Sequence, residues 1–199
     1  DLFICDIFDA TPKDMKHQLE HPLFSLSKKP DMELRKYDAQ NGDFIEFTPS
    51  AFGLANIYDK DILIFVISQL MHKINRGEEP NQTVAFNAYD LLIATNKNTG
   101  GHDYKILEKS LDRLSGTRIK TCLMVGEKEI TSSFGMIDKW EIVKEGRDGR
   151  MEGLKVKLSD WMYEGGRIVF KGPQTITYTV WALPQNMSSN SSLGGGNDG

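Results

Sequence analysis

The spacing of apolar side chains changes period along this chain, and those changes predict its elements. Over residues 62–74 most positions are apolar (Ile62, Leu63, Ile64, Phe65, Val66, Ile67, Leu70, Met71, Ile74). Asp59 and Asp61 precede this run, Lys73 and Arg76 close it and Gly77 follows, which is the charge polarity and capping of a helix. Apolar around much of its girth, it is predicted to be a central, buried helix. Residues 83–86 read as a short strand. Asn87 can then cap a helix over 88–94, with Tyr89, Leu92 and Ile93 on one side. Turn-forming residues fill 96–101. A third helix is predicted over 103–114, where Tyr104, Leu107, Leu111 and Leu114 recur at helical spacing, and Gly116 ends it.

Three hairpins surround these helices. Residues 32–37 and 43–47 flank Gln40-Asn41-Gly42, an Asn-Gly turn between β-prone runs. Residues 118–125 and 129–134 bracket Gly126-Glu127-Lys128, and residues 140–144 and 153–158 bracket Gly146-Arg147-Asp148-Gly149. Upstream, Thr11-Pro12 opens a helix that Pro22 stops. A long helix, a strand, two short helices with a tight turn and then a hairpin is the winged-helix order. The expectation is therefore an α+β, winged helix-turn-helix fold with flanking β-hairpins, the 118–134 hairpin serving as the wing. It should occupy residues 1–163 as one DNA-binding domain. From 164 to 199 the chain turns Gly-, Thr-, Ser- and Asn-rich and reads as a divergent, partly disordered tail. In it, 176–181 could add a short edge strand between Pro173 and Pro184.

Composition narrows the function classes. With 39% hydrophobic and 26% charged residues over 199 positions, the chain is an ordinary globular one. No apolar run reaches the length of a membrane helix, and the N-terminus has no basic region of the kind that opens a secretion signal. Cys5 and Cys122 stand apart without metal-ligand spacing, as in a reduced cytoplasm, so Asn81, Asn186 and Asn190 open sequons only by chance. The net charge of −4 argues against a nucleic-acid binder, but binding faces are local. Between residues 97 and 120 six Lys/Arg stand against three acids.

That local surplus carries the candidate chemistry. Lys105, Lys109 and Arg113, four apart, form one stripe on the outer face of the third helix, suited to phosphates or guanine edges. Thr117, Arg118 and Lys120 root the hairpin that follows, and Lys128 sits at its tip. The plainer reading of each is a solvated surface, since Glu108 and Asp112 can pair with the helix cations. The run His17 to His21 fits an H-x-x-E-H zinc pattern, but Pro22 follows at once and no third ligand is evident. Gly100-Gly101 lacks the context of a phosphate loop. Ser132 and Ser133 have no His/Asp partners, and Trp140 and Trp161 read as core. No catalytic constellation, cofactor site or metal site is predicted, and no enzymatic activity is expected.

Several stretches carry a family resemblance: His21-Pro22-Leu23-Phe24-Ser25-Leu26-Ser27-Lys28, residues 53–64 from Gly53 to Ile64, and residues 88–96 from Ala88 to Asn96. Leu114-Ser115-Gly116-Thr117-Arg118-Ile119, Phe134-Gly135-Met136-Ile137-Asp138 and Leu158-Ser159-Asp160-Trp161 belong with them. Over residues 21–163 the chain resembles RepA-type plasmid replication initiators of bacteria. The resemblance implies a cytoplasmic protein that binds repeated sites in double-stranded plasmid origin DNA, helps open the duplex and recruits host replication proteins. Such initiators carry two winged-helix domains and can form homodimers. The different character of 164–199 suggests a gene truncated or shifted in frame before the second domain. The alternative, from another class, is a winged-helix protein-interaction or transcription-regulator module without initiator activity.

Overall fold

The computed structural model describes residues 23–38, 42–146 and 150–164, together with the backbone of two strands near the C-terminus. The helix expected over 12–21, its zinc pattern and the tail from 186 lie outside the described residues. β1 (Arg35–Asp38) and β2 (Phe44–Thr48) form the first hairpin, and Gly42 takes the positive φ of +89° that its turn requires.

The central helix α1 (Ile57–Asn75) starts five residues before the apolar run. Its cap is Asn56. The Asn56 side chain accepts from the Tyr58 and Asp59 amides, and the Asp59 carboxylate accepts from the Asn56 amide, a closed capping box. Ile62, Leu63, Val66, Ile67 and Leu70 are buried on one stripe, and Gly77 ends the helix at φ +79°. The expectation of a buried central helix holds. β3 (Thr83–Asn87) follows, and then α2 (Ala88–Ala94), capped by Asn87 as expected. The buried side of α2 differs from the expected one. Ala88, Leu91 and Leu92 face the core, whereas Tyr89 and Ile93 are half exposed. On so short a helix two apolar stripes compete, and the one facing α1 is decided by packing. α3 (Gly101–Gly116) buries Leu107, Ser110, Leu111 and Leu114.

After α3 come β4 (Arg118–Val125), β5 (Lys128–Phe134), β6 (Ile137–Glu145), β7 (Arg150–Leu158), a single turn α4 (Asp160–Tyr163), β8 (Arg167–Phe170) and β9 (Ile176–Thr179). Two main sheets result. One is four-stranded, in the order β1-β2-β4-β5, and the other is three-stranded, in the order β3-β7-β6. β8 and β9 pair with each other, so the strand expected near 176 joins a hairpin of its own.

This topology differs from the expected one at the hairpin read as the wing. The hairpin over 118–134 does not join the sheet of β3. Its strand β4 pairs with β2, Phe47 opposite Ile119, and extends the N-terminal hairpin into a sheet. The hairpin that closes the sheet of β3 is β6–β7, with Val84 opposite Val156 and Val156 opposite Trp140. Both sheets pack their inner faces, Phe47 and Ile119 on one and Val84, Leu154 and Val156 on the other, into a single core with α1, α2 and α3.

Candidate nucleic-acid interface

α2, the turn after it and α3 form the exposed helical corner of the molecule. Thr95 Oγ1 donates to the Leu91 carbonyl at 2.8 Å, and Asn96 takes the left-handed conformation, φ 54°, that reverses the chain. α3 then begins at Gly101 with no side-chain cap. Its inner stripe is fixed by Leu107, Leu111 and Leu114, which leaves Lys105 and Lys109 exposed on the outer side. Lys109 reaches to 6.0 Å above the Phe52 ring.

Arg113, the third member of the expected stripe, is not free. Its Nε donates to Asp59 Oδ2 at 2.7 Å and one terminal nitrogen donates to Asp59 Oδ1 at 2.8 Å, a bidentate pair. The same terminal nitrogen donates to Ser110 Oγ at 3.0 Å. Asp59 is fully buried, so this guanidinium neutralises a carboxylate that has no access to water. The reading of Arg113 as an outward cation is corrected: helical spacing placed it beside Lys109, but a carboxylate from α1 claims it. Thr117 is corrected in the same way. It is fully buried, and its Oγ1 accepts from the Ala55 amide at 2.8 Å. Gly116 lies so close to Ser50 that a Cβ there would come within 2.7 Å of the Ser50 Cβ. The C-terminal end of α3 is thus clamped to the loop before α1.

Arg118, Lys120 and Lys128 lie elsewhere. Side chains alternate across a strand, and Ile119 points into the core, so Arg118 and Lys120 project from the opposite face of the four-stranded sheet. Lys120 stands opposite Glu46 there, 5.9 Å from the Phe44 ring, and Arg118 donates to Ser133 Oγ at 3.4 Å. Lys128 is exposed at the far tip of β4–β5. None of these three shares the outer face of α3.

Other cations do flank that face. Lys144 of β6 pairs with Glu108 of α3 at 3.3 Å, where the β6–β7 hairpin packs beside the helix. On the opposite flank, Lys28 and Lys29 from the first loop and Lys97 from the helical turn line a groove with Lys109. Burial pushes the Lys60 ammonium below its ordinary range and pushes the neighbouring Asp61 carboxyl above its own, the latter opposed by Lys97 and Lys60. Lys97 was within reach of sequence reasoning as part of the basic run, but Lys144 gave no local signal. Only the pairing of β6 with β7 brings it to α3. Among the described residues no group of three or more His, Cys, Asp and Glu is arranged to hold a metal ion. No helix of the described chain is long and apolar enough to cross a membrane.

The family model of replication initiator protein A matches residues 13–178. The chain belongs to this family. The match continues past residue 163, the expected end of the resemblance, and takes in β8 and most of β9. A curated relative named "Putative replication protein", from Wigglesworthia glossinidia brevipalpis, is 39% identical over 148 residues, covering 73% of this chain and 53% of its own. The chain therefore spans about half the length of that relative. Among solved structures, a crystal structure of domains 2 and 3 of RctB matches with a TM-score of 0.54 at 16% identity, over 71% of this chain and 58% of that one. A second RctB structure of the same two domains gives 0.51 at 14% identity, over 74% and 57%. At such identity the likeness is one of fold, an α+β arrangement shared with these domains.

Proposed function

We propose that this chain is the DNA-binding part of a plasmid replication initiator, a winged helix-turn-helix in which α3 enters the major groove and the β6–β7 hairpin is the wing. One observation carries the reading: the α2–turn–α3 corner is backed by a sheet in the order β3-β7-β6, and Lys105 and Lys109 stand exposed on its outer helix. Lys144, held beside α3 by Glu108, and Lys97 in the turn extend the same cationic strip. Family membership supports an initiator role, in which the chain binds repeated origin sites, contributes to opening the duplex and recruits host replication proteins by contact, without a catalytic step. The proposed DNA set is thus Lys105, Lys109, Lys97 and Lys144. Arg113 and Thr117 hold the helix in place, and Arg118, Lys120 and Lys128 face away.

The test is binding to a duplex carrying origin repeats, measured at two salt concentrations. The parent should prefer the repeats over unrelated duplex, and Lys105→Ala and Lys109→Ala should each lower the salt slope by about one unit. Equal slopes for the parent and both variants would sink the α3 assignment. The half-exposed Tyr89 and Ile93 favour a second reading, a protein-interaction module that does not depend on DNA. Under it, origin duplex binds no better than unrelated duplex.

A further inference from the structure

Between the start of α1, the end of α2 and the side of α3 lies an open groove of about 300 Å³. Its floor and walls are apolar, formed by Phe52, Tyr58, Ile62, Leu91, Ile106 and Leu107. Three of these remain substantially exposed: Phe52 at 39%, Tyr58 at 39% and Ile106 at 41%. An apolar concavity left open to water is a docking surface in want of an occupant. The rim specifies charge. Lys28, Lys29, Lys97 and Lys109 line the groove with Asp103 as their acidic counterpart, and the Arg113 that also borders it is committed to Asp59. A fitting occupant is therefore apolar and negatively charged.

The chain carries such a segment. Residues 1–9, outside the described part, read Asp-Leu-Phe-Ile-Cys-Asp-Ile-Phe-Asp, with carboxylates at Asp1, Asp6 and Asp9 and every other position apolar. Residues 10–22 connect it to Leu23, and Lys28 at the groove mouth follows shortly after. A connector of this length spans on the order of 40 Å when extended, ample to reach any wall of the groove. We propose that this groove is the docking site for residues 1–9 of the same chain, the apolar side chains seated between α1, α2 and α3 and the three aspartates facing the lysine rim. Tethering raises the local concentration of the segment, so modest contacts suffice to fill the groove. Lys97 and Lys109 belong both to the rim and to the proposed DNA set, so docking would compete with DNA. That consequence rests on the DNA reading, whereas the docking itself does not.

The experiment is therefore read without DNA. Phe8 is replaced by a photo-crosslinking benzoylphenylalanine in the full chain, and the products are mapped by mass spectrometry. The expected result is an intramolecular crosslink to residues of the 52–58 loop or of α3 around Ile106, at a yield independent of protein concentration. Lys28→Glu with Lys97→Glu should abolish that product, and adding Asp6→Lys with Asp9→Lys to the same chain should restore it. Ile106→Asp, at an exposed position, should also abolish it while circular dichroism stays that of the parent. A crosslink elsewhere on the chain, or no crosslink above background, overturns the proposal. So does a crosslink between two chains that grows with concentration, which would assign the groove to a second copy. A groove crosslink indifferent to the charge variants overturns the role given to the lysine rim.

Discussion

The two halves of α3 carry the same surface pattern and do opposite things. Lys105, Lys109 and Arg113 recur every four residues along one helix face. The first two are exposed, and the third is drawn into a bidentate pair with a fully buried aspartate of α1. Past it, Gly116 fits against Ser50 and Thr117 satisfies the Ala55 amide. One end of the helix is therefore free to meet a ligand, while the other is bolted to the domain. The proposed DNA-reading role needs both, since cations aimed at phosphates specify nothing unless the helix beneath them is held at a fixed angle.

This contrast can be broken most forcefully at Arg113. Arg113→Ala leaves the Asp59 carboxylate buried and unpaired, and should destabilise the fold by about 3–5 kcal/mol in urea unfolding. Removing both charges, Arg113→Met with Asp59→Asn, should recover a large part of that loss. If Arg113→Ala unfolds like the parent, the clamp is wrong. A smaller loss is expected at Thr117→Val, which keeps the shape but strands the Ala55 amide. Thermal or urea melts should show about 1–3 kcal/mol, and an unchanged midpoint would remove Thr117 from the clamp.

Toward the free end the effect moves from stability to binding. Lys105→Ala and Lys109→Ala should change stability by no more than about 0.5 kcal/mol, as exposed positions do, while each lowers the salt slope for duplex by about one unit. A melt that drops as far as that of Thr117→Val would show that these lysines are structural as well. Smallest of all are Lys120→Ala and Lys128→Ala, on the far face and at the far tip of the other sheet. Neither should shift duplex affinity or its salt slope within the error of a fluorescence-anisotropy titration. A slope change at Lys128 would return the β4–β5 hairpin to the DNA side.

The comparison also shows which kind of information each end of α3 contains. Lys105 and Lys109 were legible because Leu107, Leu111 and Leu114 fix the inner stripe, and whatever lies opposite is outer. Arg113 obeyed the same rule and still went elsewhere, because periodicity gives a direction and not a partner. Asp59 itself read only as an acid at a helix start. Nothing local distinguishes a capping carboxylate from one that also anchors a second helix 54 residues away. The two hairpins repeat the lesson. Each has a glycine turn between β-prone runs, and only the one over 118–134 was expected to pack with the helical unit as its wing. Which of them joins the sheet of β3 was decided by pairing, β2 taking β4 and β3 taking β7.

By itself the sequence determined what depends on neighbours a few residues apart. That includes the long apolar helix, the Asn87 cap, the period of α3, the glycine turns and a set of motifs strong enough to place the chain in its initiator family. Tertiary structure alone decided which apolar stripe of α2 is inside, which hairpin completes the sheet of β3, which cations are spent on buried carboxylates, and that an apolar groove with a lysine rim opens beside α3. The physical reason is range. Capping, periodicity and turn geometry are set by contacts within one or two helical turns. Strand pairing and ion pairing join residues that meet only when the core forms, and their outcome is fixed by burial and by the cost of leaving a buried charge or strand edge without a partner.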